Sequence, residues 1–177
     1  MIKRRKTFPP KEPERLLEQQ IKNFIHQNEK NRRTELGGGV YWEEPLVGFA
    51  SGSDPLFQEY QNIIGSFHLT PQEIMKNALK DKGEDFSESD LDEISVISWI
   101  LPVSEDTRKS NRNEKQFPSK LWAYTKDFGE VCNRALRGHI ASYLENLGHI
   151  AVAPLLSQGF RLFRDEKAGW TSTWSCR

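Results

Sequence analysis

The sequence predicts an α/β domain built on a parallel strand–helix–strand core. Three observations carry this prediction. An unbroken apolar run, Ile94-Ser95-Val96-Ile97-Ser98-Trp99-Ile100-Leu101, is closed by Pro102. A long helical pattern then runs over 119–147 and stops at Gly148. A second apolar run, His149-Ile150-Ala151-Val152-Ala153, is closed by Pro154. Two continuous apolar strands joined by a helix read as a parallel pair covered on both faces. Such crossovers are right-handed, and ligands sit outside the carboxyl ends of the strands. Those ends are 101–103 and 154–157, so a site is expected there.

The bounds agree with one soluble domain. The chain has 177 residues, enough for a sizeable core. Formal net charge is zero, which gives no whole-chain attraction to polyanions. The balance is uneven along the chain. Lys3, Arg4, Arg5, Lys6 and Lys11 make the amino end basic, while Asp81, Glu84, Asp85, Glu88, Asp90, Asp92 and Glu93 make the middle acidic. No run of about 18 apolar residues is present to span a membrane. The first six residues are basic, but Thr7-Phe8-Pro9-Pro10 follows them, which is not the apolar stretch of a secretory signal. Two cysteines, Cys132 and Cys176, form no C-x-x-C pair and point to a reducing, cytoplasmic setting.

Taken in order, residues 1–12 read as a charged, disordered tail, and 1–39 as a basic segment carrying one helix. That helix is expected over 13–31, with Leu17, Ile21, Phe24 and Ile25 on one face. Gly37-Gly38-Gly39 breaks it and reads as a flexible hinge, since no Lys-Ser or Lys-Thr follows to make a nucleotide loop. Residues 40–50 are extended and aromatic. Asp54-Pro55 starts a helix over 55–64 that buries Leu56, Tyr60, Ile63 and Ile64. Thr70-Pro71-Gln72-Glu73 is a capping box, opening a helix over 71–82 that stops at Gly83. Residues 103–116 read as a polar loop with Arg108, Lys109 and Arg112. In the long helix, Leu121, Tyr124, Phe128, Val131, Ala135, Ile140, Tyr143, Leu144 and Leu147 form the apolar stripe, and Gly129 and Gly138 mark close packing against another backbone. A short edge strand is expected over 159–163. The stretch 170–177, with two tryptophans and five hydroxyl or thiol residues, does not read as a chain end.

Few residues announce chemistry. His26, His68, His139 and His149 lie on different elements without metal-ligand spacing. Walker, H-E-x-x-H and G-x-S-x-G signatures are missing from the sequence. Tyr124, Lys126 and Asp127 cluster near the start of the long helix. A stacked ring and a helix-surface charge pair is the first reading of these residues, and Tyr124 and Asp127 are candidate proton donors as the second.

A set of ordered stretches adds a resemblance. They are Pro45-Leu46-Val47-Gly48-Phe49-Ala50 with Asp54-Pro55-Leu56-Phe57, Phe67-His68-Leu69-Thr70-Pro71, Val96 to Pro102, Arg108-Lys109-Ser110-Asn111-Arg112 and Pro118-Ser119-Lys120-Leu121-Trp122-Ala123. Ala151 to Ser157 and Ser172-Thr173-Trp174-Ser175 complete it. Over 40–177 the chain resembles the amino-terminal part of iron–sulfur proteins related to epoxyqueuosine reductase and, more distantly, to corrinoid reductive dehalogenases.

The resemblance implies a nitroreductase-like cofactor domain, here incomplete, that receives electrons from two 4Fe–4S clusters in a ferredoxin-like module outside this chain. It implies cobalamin as the bound cofactor. It places Trp170, Thr171, Ser172, Thr173 and Ser175 in the cofactor-lining segment. Characterised epoxyqueuosine reductases carry an Asp proton donor in that segment. This chain has none there, and Cys176 stands where the family has Glu. The two cysteines cannot hold a cubane, which needs four thiolates. The chain is therefore expected to be a fragment, inactive alone, that works with the missing module or another electron donor. The alternative is a non-catalytic interaction module in which the basic amino end and Arg108 to Arg112 contact a protein or RNA, tRNA among them. A flavin site follows from the fold relationship only.

Overall fold

A computed structural model describes residues 12–87, 89, 91, 93–165 and 169–174. Five helices carry the described chain: α1 (Glu12–Gln27), α2 (Leu56–Ile63), α3 (Pro71–Lys82), α4 (Glu105–Arg112) and α5 (Lys120–Asn146). Four strands pair two by two, β1 (Leu46–Ser51) with β2 (Ser95–Ile100) and β3 (Leu162–Asp165) with β4 (Gly169–Ser172). The protein is thus a mixed helix-and-strand, α+β molecule. It divides into two compact units, residues 1–48 with 98–149 and residues 49–97 with 150–177. Among the described residues, no helix is long and apolar enough to cross a membrane.

The parallel core expected from the sequence is not formed. β2 runs antiparallel to β1: Ile94 O accepts from Gly52 N–H, Ser98 Oγ donates to Gly48 O, and Trp42 bridges Val103. Residues 149–153 are not a strand. The end of α5 explains why. Gly148, at φ 85°, closes a Schellman turn in which its own N–H reaches Glu145 O and that of His149 reaches Leu144 O. The first amide of the apolar run is thereby tied back to the helix. Pro154, at the far end, has no amide to offer a ladder. The run between them stays irregular and leads into the 3-10 turn Pro154–Leu156.

The first unit is built on α1 and α5, which pack together. Ile21 and Ile25 of α1 are buried, as are Cys132, Leu136 and Ile140 of α5, and Phe24 stacks on His139 at 4.9 Å. Ser119 caps α5 by accepting from Trp122 N–H. α4 occupies part of what reads as a polar loop. It has no apolar stripe to announce it, and Thr107 is its one buried residue. Trp42 locks the extended segment onto α5: its indole N–H donates to Gly129 O at 2.9 Å. A Cβ on Gly129 would lie 2.6 Å from that indole, so the glycine serves the close approach of a ring.

Arg33 organises the other end of this unit. It is buried, and its guanidinium reaches Asp106 at 3.1 Å and Thr107 Oγ1 at 3.3 Å. The three glycines wrap it: Arg33 N–H donates to Gly39 O, and Gly38 N–H donates to Arg33 O. All three take positive φ. The glycine run that reads as a hinge in the sequence is the clasp of a buried arginine.

The second unit holds α2, α3 and the β3–β4 hairpin, with Leu162 opposite Ser172 and Asp165 opposite Gly169. The hairpin begins three residues later than the edge strand expected over 159–163. The capping box of α3 forms as read: Thr70 Oγ1 accepts from Glu73 N–H, and the Glu73 carboxylate accepts from Thr70 N–H. α2 departs from expectation. None of its residues is buried, and Leu56 and Ile63 are exposed.

Candidate functional site

The second unit brings together stretches that lie far apart in the sequence, and Trp174 is the point of convergence. Its indole stacks on the His68 ring at 5.5 Å and on Phe57 at 6.4 Å. Tyr60 packs edge-on to both Phe57 and His68. His68 is buried, which sets this cluster as the unit's aromatic centre. Backbone bonding fixes the same join: Leu69 N–H donates to Thr173 O at 2.9 Å.

Thr173 then builds the wall of a groove. Its hydroxyl donates to Gly159 O and accepts from Arg161 N–H, while its own N–H donates to Arg161 O. These bonds hold the turn 159–161 beside α3. Between them opens a groove of about 460 Å³ lined by Asn77, Lys80, Asp81, Gln158, Arg161 and Thr173. Next to it lies a cavity of about 20 Å³ against Ile74, Pro154, Phe160 and Trp174, room for about one water. Lys80 and Arg161 come from different elements and form no ion pair with a described residue. Asp81 lines the same groove and supplies a carboxylate acceptor. The arrangement offers two cations, two amides and one carboxylate to a polar ligand, with an apolar notch at its edge. It suits an anionic group carrying hydrogen-bond donors and acceptors.

The residues expected to line a cofactor fall into distinct places. Thr173 lines the groove. Thr171 and Ser172 are buried, and the Ser172 hydroxyl is spent on Trp174 O at 3.0 Å. Trp170 points to solvent, 64% exposed. Ser175 lies outside the described residues. The sequence missed Lys80, Asn77, Gln158 and Arg161, since nothing in their spacing links α3 to residues 158–161. From the stretch 154–157, Pro154 and Ser157 line the small cavity.

Tyr124 and Asp127 belong to the first unit and line neither cavity. Tyr124 stacks on Phe128 at 5.3 Å with the Lys120 ammonium 5.6 Å from its ring centre, and Asp127 is exposed. Two of the three cations of α4 are paired, Arg108 with Glu43 of the preceding extended segment and Lys109 with Glu105, and Arg112 is exposed. Lys109 holds the Glu105 carboxyl below its ordinary value, chiefly through their hydrogen bond.

Metal chemistry finds little purchase. Among the described residues no group of three His, Cys, Asp or Glu could hold a metal ion. Cys132 is buried in α5, and burial pushes its thiol up to about 11, far from the thiolate a cluster needs. The chain's two cysteines cannot supply four ligands. The groove, at about 460 Å³, is too small to enclose a corrinoid ring.

No family model, curated protein or solved structure matches the chain.

Proposed function

We propose that this chain is the amino-terminal part of the cofactor domain of a cytoplasmic iron–sulfur oxidoreductase related to epoxyqueuosine reductase. Its electrons come from 4Fe–4S clusters outside this chain, and the chain alone is inactive. One observation carries the reading. Three of the stretches behind the resemblance, those around Phe57, His68 and Trp174, meet in one aromatic cluster, and a groove of matching polarity opens beside it. In this reading Lys80, Arg161 and the Asn77 and Gln158 amides hold the polar fringe of a corrinoid. The ring itself is enclosed only when further polypeptide is present. A corrinoid bound there would supply the reactive metal, and these side chains would hold its edge.

Equilibrium dialysis of the chain against hydroxocobalamin tests the groove. The chain retains the corrinoid saturably, and Lys80→Glu with Arg161→Glu weakens retention about tenfold, as the loss of two charged contacts implies. Retention that is undetectable, or equal in the double variant, contradicts the assignment.

A further inference from the structure

Helix α5 carries two stripes of apolar and small residues, and its own chain buries one. Thr125, Gly129, Cys132, Leu136 and Ile140 form the buried stripe. The second runs through Tyr124, Phe128, Val131, Ala135, Gly138 and Ser142. At about 100° per residue it lies roughly a third of a turn away. Its alternating spacing of four and three is that of a helix–helix seam. Phe128 stacks on Tyr41 of its own chain at 6.3 Å, yet it and Val131 remain 43% and 51% exposed.

The two helix glycines differ in a telling way. Gly129 is explained within the chain, because Trp42 occupies the space of its missing side chain. Gly138 has nothing within 4 Å of where a Cβ would sit. A glycine inside a helix weakens it, and no described residue occupies the space beside this one.

The seam is also graded. Tyr124, Phe128 and Val131 are large, and Ala135, Gly138 and Ser142 are small. Laid antiparallel on itself about a two-fold axis level with residue 133, it places Tyr124 on Ser142, Phe128 on Gly138 and Val131 on Ala135. Every large side chain meets a small one. Charge agrees at the flank. Lys120 of one copy comes level with Glu145 of the other, at both ends of the seam. The two Arg134 approach each other near the axis, and Asp127 of the opposite copy stands within about two turns to offset them.

We infer that α5 is the docking surface for a second copy of this chain, through this antiparallel seam. It spans about 27 Å at 1.5 Å per residue, a small interface, so the dimer is reversible and of about micromolar affinity.

Sedimentation equilibrium of the full chain over a concentration series tests it. The chain shows a reversible monomer–dimer equilibrium near about 10 µM. Gly138→Leu weakens it tenfold or more while raising the melting temperature of the monomer, because the new side chain meets nothing in its own chain. Val131→Lys, at a half-exposed position, weakens it equally. A wild-type chain that stays monomeric at ten times that concentration overturns the inference, and so does dimerisation that both variants leave unchanged.

Discussion

Arg33 shows how much a single buried cation demands of its neighbours. Its guanidinium is taken out of water, and Asp106 and Thr107 supply the compensating contacts. The clasp needs three residues at positive φ, which only glycine adopts freely. At Gly39 there is a second constraint, since a Cβ would sit 2.1 Å from the guanidinium. Gly39→Ala therefore costs about 1–3 kcal/mol of stability, read from the urea midpoint at constant slope. Gly37→Ala has the same backbone penalty without the clash, and its loss is smaller. The sequence shows three glycines and a nearby arginine but not that one encloses the other. That join depends on α4, which no periodicity announces. Trp174 is a contrasting case. The density of indoles and hydroxyls near it stands out in the sequence. Its stacking partners His68 and Phe57 are visible only as separate pieces of a resemblance.

At the scale of the element, local start and stop signals are read well, and buried faces and pairings are not. The capping box at Thr70 and the stop at Gly148 form where the residue types place them. These signals are local, and local hydrogen bonds decide them. Strand pairing is non-local. The run 149–153 has the composition of a strand, but its first amide belongs to the Schellman turn of α5. The stripe of α5 is a subtler miss. The apolar residues at 124, 128 and 131 suggest the core-facing side, yet the chain buries the side marked by Thr125, Gly129 and Cys132. Trp42 decides this, because its ring needs the glycine and its N–H needs the Gly129 carbonyl. The two glycines then give opposite predictions for the same substitution. Gly129→Ala drives a methyl into the indole and destabilises by about 1–3 kcal/mol, less the helix gain. Gly138→Ala meets no neighbour and stabilises the monomer by about 0.5–1 kcal/mol. Thermal melts of the two variants at low concentration check both signs.

For the whole molecule, the mixed helix-and-strand class was legible, and the antiparallel pairing of β1 with β2 was not. Neither two-stranded sheet buries its strands fully. β1 and β2 contain no buried residue, although β2 carries Val96, Ile97, Trp99 and Ile100. A strand apolar on both faces calls for cover on both faces. That cover is consistent with a domain completed by further polypeptide, as the proposed function holds. The candidate site follows the same logic. Thr173, expected in a cofactor-lining segment, lines the groove, while Lys80 and Arg161 meet there only through the fold of the second unit.

The most direct test of the central proposal is spectroscopic. The native polypeptide that carries this sequence is isolated without oxygen from its source cells, and its iron and acid-labile sulfide are measured with its electron paramagnetic resonance after reduction. The account predicts iron and sulfide in about the ratio of two cubane clusters, a broad absorbance near about 400 nm and a reduced-cluster signal. A native polypeptide that contains this chain and holds neither iron nor sulfide contradicts it.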